Sequence, residues 1–379
     1  MQYSDRIDAL KAAGTYRKIP QLKVEGKYVW ADGKRYINLA GNDYLGISTD
    51  TDLRDKFGNR ALELPFSSSS SRLLTGNSPE HEALEAELSR LYGRKSALLF
   101  DSGYHANLGI LPALSDDKTL ILADKLVHAS IIDGIRLSGR EFRRFKHNSL
   151  PDLEALLQRF ASEYETIWVV VESLYSMDGD FAPLTDIVAL KQHYPQLRIY
   201  VDEAHAVGAT GKKGLGCVED LGLLEQVDIL IGTMGKALCS VGAFALSGAE
   251  VRELLVSTCR PLIFSTALPP VCTAWSLHVV RHLSGMDAQR AHLHRLVALL
   301  KERTGLPLSS YIVPVHAGSE ECAVRMAEEL KASGFFALPI RKPTVPPGGE
   351  RVRLSLSAAL TEQEVELLAQ TIVRVMQTA

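Results

Sequence analysis

Cysteine is scarce in this chain: five in 379 residues, with no C-x-x-C pair. Cys217, Cys239, Cys259, Cys272 and Cys322 form an odd, scattered set. That argues against a disulfide framework or a zinc site and leads us to expect a reducing compartment, the cytoplasm. Long apolar runs are missing too. The longest, such as 167–171, have the length of a strand and fall far short of the roughly 18 residues that span a bilayer. Residues 1–17 are polar and charged, with no apolar signal-peptide core. Neither sign of charge dominates, since 42 basic and 45 acidic side chains leave −3. A surface devoted to nucleic acid or anionic membrane is therefore not expected. The composition, 46% hydrophobic and 23% charged, is that of a soluble globular protein. The length allows two to three units of roughly 150 residues.

What is present is an alternation. Short apolar runs at 97–100, 120–123, 167–171, 199–201 and 229–231 are separated by stretches of helical periodicity, such as 152–164 and 184–193. Ser78-Pro79 reads as an N-cap followed by proline at the first helical position. Such alternation predicts an α/β fold with a large, mostly parallel sheet covered by helices. The ends of the chain differ. Residues 1–45 read as an arm with a hairpin at Asp32-Gly33, and 46–270 as the large domain. Beyond Pro269-Pro270, 271–379 reads as a smaller α+β domain. There 351–357 alternates like a half-exposed strand, and Thr361 with Glu364 forms a capping box.

Ligands bind beyond the carboxyl ends of strands in open α/β sheets, so the residues after each run carry the chemistry. They are Asp101-Ser102-Gly103-Tyr104-His105-Ala106-Asn107, Asp124 to Ser130 with His128, Glu172 to Gly179, Asp202-Glu203-Ala204-His205, and Gly232-Thr233-Met234-Gly235-Lys236. Gly103 opens a helix, a ready phosphate site. Asp202 could hold a cationic nitrogen protonated, and His128 could stack on a ring or move a proton. Lys236, partly desolvated, would be a carbonyl nucleophile. Singly, each has an ordinary alternative: a surface lysine, a helix cap, a hydrogen-bonded histidine, a turn glycine. Five loops converging on one rim outweigh those alternatives. Asp-Glu-Ala-His also spells a helicase box, but no G-x-x-x-x-G-K-[ST] accompanies it, so an ATPase is not supported.

The motifs resemble those of the α-oxoamine synthases, pyridoxal-phosphate enzymes of the aspartate-aminotransferase fold (fold type I). The likeness runs through Asn42-Asp43-Tyr44-Leu45-Gly46, Ser68 to Asn77, His128-Ala129-Ser130 and Ser176 to Asp180. It continues in Asp202 to Gly208, Gly232 to Lys236, Pro343 to Pro346 and Arg351 to Leu354. It implies that Lys236 holds pyridoxal 5′-phosphate as a Schiff base, that Asp202 partners the ring nitrogen and His205 the ring hydroxyl, and that His128 stacks on the ring. Gly103, Tyr104, Ser176 and Thr233 would complete the cofactor shell, with Ser265 and Thr266 reaching in from a second subunit of a homodimer. Asn42, Glu172, Thr344 and Arg353 would lie near the substrates, with the Arg353 fork suited to a carboxylate. The implied reaction joins an amino acid to an acyl-CoA or acyl-carrier-protein thioester with loss of CO2. L-alanine with a pimeloyl thioester, as in biotin synthesis, is expected, and glycine with acetyl-CoA, or the reaction of another α-oxoamine synthase, is the alternative. Leu360 stands where many relatives have histidine, Lys342 replaces a common proline, and the serine run 67–71 replaces a glycine-rich loop.

Overall fold

The computed structural model describes residues 3–93, 96–342 and 344–378. Met1 of the expected arm and Pro343 of the quoted motif therefore lie outside the described residues. The chain divides into two units, one of Met1–Asn42, Met177–Gly179 and Leu293–Ala379, the other of Asp43–Ser176 and Asp180–His292. In the first unit β1 (Lys23–Glu25), β2 (Tyr28–Ala31) and β3 (Lys34–Asn38) form an antiparallel meander. The β2–β3 turn is Asp32-Gly33, with φ of 50° and 75°. Positive values at both positions are what a two-residue type I′ turn requires, and Asp-Gly supplies them at low cost.

The second unit is built on seven strands. They are β4 (Ser96–Phe100), β5 (Thr119–Asp124), β6 (Glu141–Phe145), β7 (Thr166–Glu172), β8 (Leu197–Asp202), β9 (Ile229–Thr233) and β10 (Ala243–Ser247). Their order is β4-β10-β9-β8-β7-β5-β6. The strands from β5 to β9 are parallel, and β10 runs antiparallel to both of its neighbours. All five expected strands are present. The two additional ones, β6 and β10, were not among the apolar runs singled out in the sequence. Glu-Phe-Arg-Arg-Phe is a charged edge strand, and Ala-Phe-Ala-Leu-Ser carries no β-branched residue.

Alternate strand residues, including Ile121, Trp168, Val170, Tyr200 and Ile231, form one core with Ile110, Ile131, Ile135 and Leu255. Those four come from the helices Gly103–Ala113, Ala129–Ser138 and Ala249–Thr258. The intervening Leu120, Leu122, Ile167, Val169 and Val171 are equally buried, so the sheet is covered on both faces. Truncating one such Leu or Ile to Ala costs about 2–5 kcal/mol, which makes the rim above the sheet a rigid platform.

The C-terminal part of the first unit contributes β11 (Ile312–His316), β12 (Phe335–Phe336), β13 (Pro339–Ile340) and β14 (Arg351–Ser355). β11, β14 and β13 form an antiparallel sheet. β12 pairs in parallel with β3, Phe335 opposite Ile37. The last helix, Glu362–Thr378, opens with the expected capping box. The Thr361 amide donates to Glu364 Oε2 at 2.8 Å and the Glu364 amide to Thr361 Oγ1 at 3.2 Å. β14 departs from expectation, because all five of its residues are buried rather than alternating. Its arginines are withdrawn from water because each has acceptors. Arg351 donates to the Gly349 and Met177 carbonyls and to Asp178 Oδ1, and Arg353 to Asn42 Oδ1 and Ser355 Oγ.

Candidate active site around Lys236

Lys236 lies three residues past the end of β9, in a turn closed by Ser240 N–H to the Met234 carbonyl (2.8 Å) and Cys239 N–H to the Lys236 carbonyl (2.9 Å). Its Nζ is 2.8 Å from His205 Nε2, and His205 Nδ1 is 2.6 Å from the Tyr44 hydroxyl. Tyr44 is fully buried and His205 nearly so. Thr233 Oγ1 donates to the Gly242 carbonyl and accepts from Gly235 N–H, which holds the approach to the lysine.

Asp202 ends β8. Its Oδ1 accepts from the Ala204 amide at 2.9 Å and its Oδ2 from Asn107 Nδ2 at 2.8 Å. A carboxylate has about four acceptor positions, so capacity remains for a further donor. The next residue, Glu203, turns the other way. Fully buried, its Oε1 accepts from the Cys217 and Val218 amides at 2.8 and 3.0 Å, and burial pushes its pKa up to about 7. Within Asp-Glu-Ala-His, then, the first and last residues line the site and the second fastens a loop.

Glu172 ends the adjacent strand β7, in register with Asp202. It is buried, its Oε1 has no hydrogen-bond partner among the described residues, and its pKa rises to about 8, first through burial and then through the Asp202 charge. On the other flank Asn107 also donates to Ser130 Oγ at 3.0 Å. Ser130 Oγ lies 2.7 Å from His128 Nδ1, and Tyr200 OH donates to Asn107 Oδ1 at 2.6 Å. The ring of Tyr104 meets that of His128 edge-on at 6.4 Å, and the Tyr104 hydroxyl donates to Asp133.

Gly103 begins the helix Gly103–Ala113, whose N-cap Ser102 accepts from the His105 amide at 3.1 Å. A helix start leaves its first amides without intrahelical acceptors, so Gly103 and Tyr104 present N–H groups and a positive dipole end to an anion. The serine run is anchored rather than loose: Ser68 Oγ donates to the Leu268 carbonyl at 2.8 Å and Ala267 N–H to the Ser70 carbonyl at 2.9 Å. The segment so held carries Ser265, half-buried beside Asp101, and the exposed Thr266.

The second unit thus gathers Lys236, His205, Asp202, Thr233, Glu172 and His128 along neighbouring strand ends, with Gly103 and Tyr104 at the helix start and Ser176 four residues past Glu172. In the first unit Arg353 Nη1 donates to Asn42 Oδ1 at 3.1 Å, and Thr344 Oγ1 accepts from Arg17 at 3.4 Å. Tyr44, Asn107, Ser130 and Tyr200 received no role from sequence. Tyr44 and Ser130 stood within quoted motifs and Asn107 in the loop after β4, one helical turn past Gly103, whereas Tyr200 lay inside a strand and carried no signal. The residues present fit pyridoxal phosphate. An amine, a strand-end carboxylate with spare acceptor capacity, an orphaned buried carboxyl oxygen and a helix N-terminus match an aldehyde, a ring nitrogen and a phosphate.

Residues 34–372 match the family described as aminotransferase class I and II. A putative 8-amino-7-oxononanoate synthase from Pasteurella multocida (strain Pm70) is 49% identical over 372 residues, covering 96% of each chain. Among solved structures, a PLP-bound serine palmitoyltransferase from S. paucimobilis superimposes with a TM-score of 0.90 at 30% identity, over 99% of this chain and 96% of the other. An 8-amino-7-oxononanoate synthase from Francisella tularensis gives 0.76 at 26% identity, over 90% and 98%.

Proposed function

The chain belongs to the class I and II aminotransferase family, and we propose that it condenses L-alanine with a pimeloyl thioester to give 8-amino-7-oxononanoate, CO2 and the free thiol. It is a pyridoxal-phosphate-dependent acyltransferase with the fold of that family. The observation that carries the reading is the Lys236 amine held at 2.8 Å from His205 among Asp202, Glu172 and His128.

Lys236 Nζ would hold the cofactor aldehyde, Asp202 the protonated ring nitrogen, His205 the ring hydroxyl, and the Gly103 and Tyr104 amides the phosphate, with Ser176 and Thr233 nearby. When bound, pyridoxal phosphate supplies an electron sink for negative charge at the amino-acid Cα. The residues do the rest. Arg353, hydrogen-bonded to Asn42 Oδ1 and Ser355 Oγ, would offer its guanidinium to the amino-acid carboxylate. Lys236 Nζ takes the Cα proton and later returns one. His128 would stack on the cofactor ring and donate to the thioester carbonyl, and Thr344, Asn42 and Glu172 would serve the substrates. Glu172, its pKa raised to about 8 by burial and then by the Asp202 charge, keeps its proton at neutral pH and so adds no second negative charge beside Asp202.

The active enzyme is a homodimer in which exposed Thr266 and neighbouring Ser265 serve the partner's cofactor phosphate. The cytoplasm is its compartment; the five cysteines are free and no helix among the described residues is long and apolar enough to cross a membrane. A substrate screen decides the reading. Release of CO2 and thiol from L-alanine plus pimeloyl-CoA or pimeloyl-carrier protein is expected. Turnover only with glycine and acetyl-CoA would replace it with glycine acetyl transfer.

A further inference from the structure

Two hydrogen-bonded side chains, Asn107 and Ser130, connect Asp202 to His128, and the acceptor at one end dictates the proton at the other. Asp202 as a carboxylate can only accept. The Asn107 group at 2.8 Å from Oδ2 is therefore its NH2, which turns Oδ1 towards Tyr200, so the Tyr200 hydroxyl at 2.6 Å must donate. The second Asn107 N–H points to Ser130 Oγ at 3.0 Å. With that lone pair engaged, the Ser130 hydroxyl proton is directed at His128 Nδ1, 2.7 Å away. The Ser130 backbone amide, which can only donate, aims at the same nitrogen at 3.3 Å. Asn107, Ser130 and Tyr200 are all buried, so water offers no alternative partners.

We propose that Asn107, clamped by Tyr200, is a positioning residue that acts through Ser130 to hold His128 as the neutral Nε2–H tautomer. His128 is thereby a hydrogen-bond donor at its outer nitrogen rather than a base. An imidazolium would set an Nδ1 proton against two donors. The surrounding groups act in the same sense on balance: partial burial of the ring and the Lys236 charge lower its pKa, while Asp202 and Asp133 oppose them. The Tyr104 ring meets His128 edge-on, and the Glu172 carboxyl is hydrogen-bonded to the His128 backbone. The inference rests on the condensation proposed above only for what Nε2–H then meets, a developing negative charge on a carbonyl oxygen.

The test is the ring-nitrogen NMR spectrum of histidine-labelled holoenzyme, with His128 assigned by its loss in His128→Gln. Wild type should show Nε2 protonated and Nδ1 bare across neutral pH. Asn107→Leu and Ser130→Ala should each populate the Nδ1–H form, and Ser130→Thr, which keeps the hydroxyl, should restore the wild-type pattern. In Asn107→Leu, kcat/KM should fall about ten- to a hundredfold, the effect of losing a bond to a charged group. Should that variant fail to fold, Tyr200→Phe loosens the same amide and should give the same spectral change in weaker form. A wild-type His128 protonated at Nδ1 would overturn the inference, as would a spectrum unchanged in both Asn107→Leu and Ser130→Ala. The spectrum is read whether or not alanine proves to be the substrate, so the two proposals fail separately.

Discussion

Glu172 and Asp202 stand side by side at the carboxyl ends of adjacent parallel strands, paired in register and both buried. Two carboxylates so placed do not both ionise cheaply. Glu172 keeps its proton to about pH 8. Folding a group whose pKa is raised costs stability progressively as pH climbs from its unfolded value to its folded one. The cofactor-free protein should therefore lose stability between about pH 4.5 and about 8 through this residue. Glu172→Gln should flatten that limb, and denaturant unfolding of the two proteins across the range measures it. Parallel curves would contradict the assignment.

His147 gives the opposite profile. It bridges Asp124 at 3.0 Å and Asp180 at 2.8 Å, and although burial disfavours its charge, the two carboxylates raise its pKa to about 10. The stabilisation is complete below pH 6.5 and disappears as pH rises towards 10. His147→Gln should be less stable than wild type at neutral pH, with the gap closing above pH 10. A gap that stays constant with pH would mean the histidine contributes by packing alone.

Lys236→Ala should abolish covalent attachment of the cofactor. Borohydride treatment of wild-type holoenzyme should leave a label on Lys236, found by peptide mass, and none in the variant. Label on another lysine would displace Lys236 from its proposed role.

Arg353→Ala removes a charge-assisted carboxylate contact of about 1.5–3 kcal/mol. Amino-acid affinity should drop roughly ten- to a hundredfold, followed by spectral titration of the holoenzyme, while cofactor loading stays near wild type. Unchanged affinity would remove Arg353 from the substrate site.

Thr266 tests the shared site. Thr266→Glu should inactivate by setting a carboxylate against the phosphate. Mixed dimers of Thr266→Glu with Lys236→Ala should recover about half of wild-type activity, since crossing gathers both lesions in one site of a C2 dimer. Folded heterodimers that remain inactive would show that Thr266 serves its own chain.

Much of this was legible from sequence because parallel strands buried on both faces read as short apolar runs, and ionisable residues directly after such runs must lie on one rim. Lys236, Asp202 and His205 were visible for that reason. Asn107 stood in the first of those loops without a role, and Tyr200 read only as part of a strand. Their importance comes from which atoms face each other across three elements, and neither spacing nor composition encodes that. Likewise, alternation made β14 look half-exposed, because burying an arginine depends on acceptors as distant in sequence as Asn42 and Met177. The Phe335–Ile37 pairing of β12 with β3 was equally illegible, since it joins segments about 300 residues apart.

The antiparallel insertion of β10 has a consequence during synthesis. Among the described residues β4 has β10 as its sole neighbour in the sheet, yet nearly 150 residues separate the two in the chain. At roughly 5–20 residues per second, a ribosome exposes the strand Ser-Ala-Leu-Leu-Phe for on the order of ten seconds before its partner emerges. Strands β5 to β9 can meanwhile assemble with one another as they appear. Nascent chains arrested before residue 243 should thus carry one adhesive segment on an otherwise developing sheet, a specific address for a chaperone at the exit tunnel.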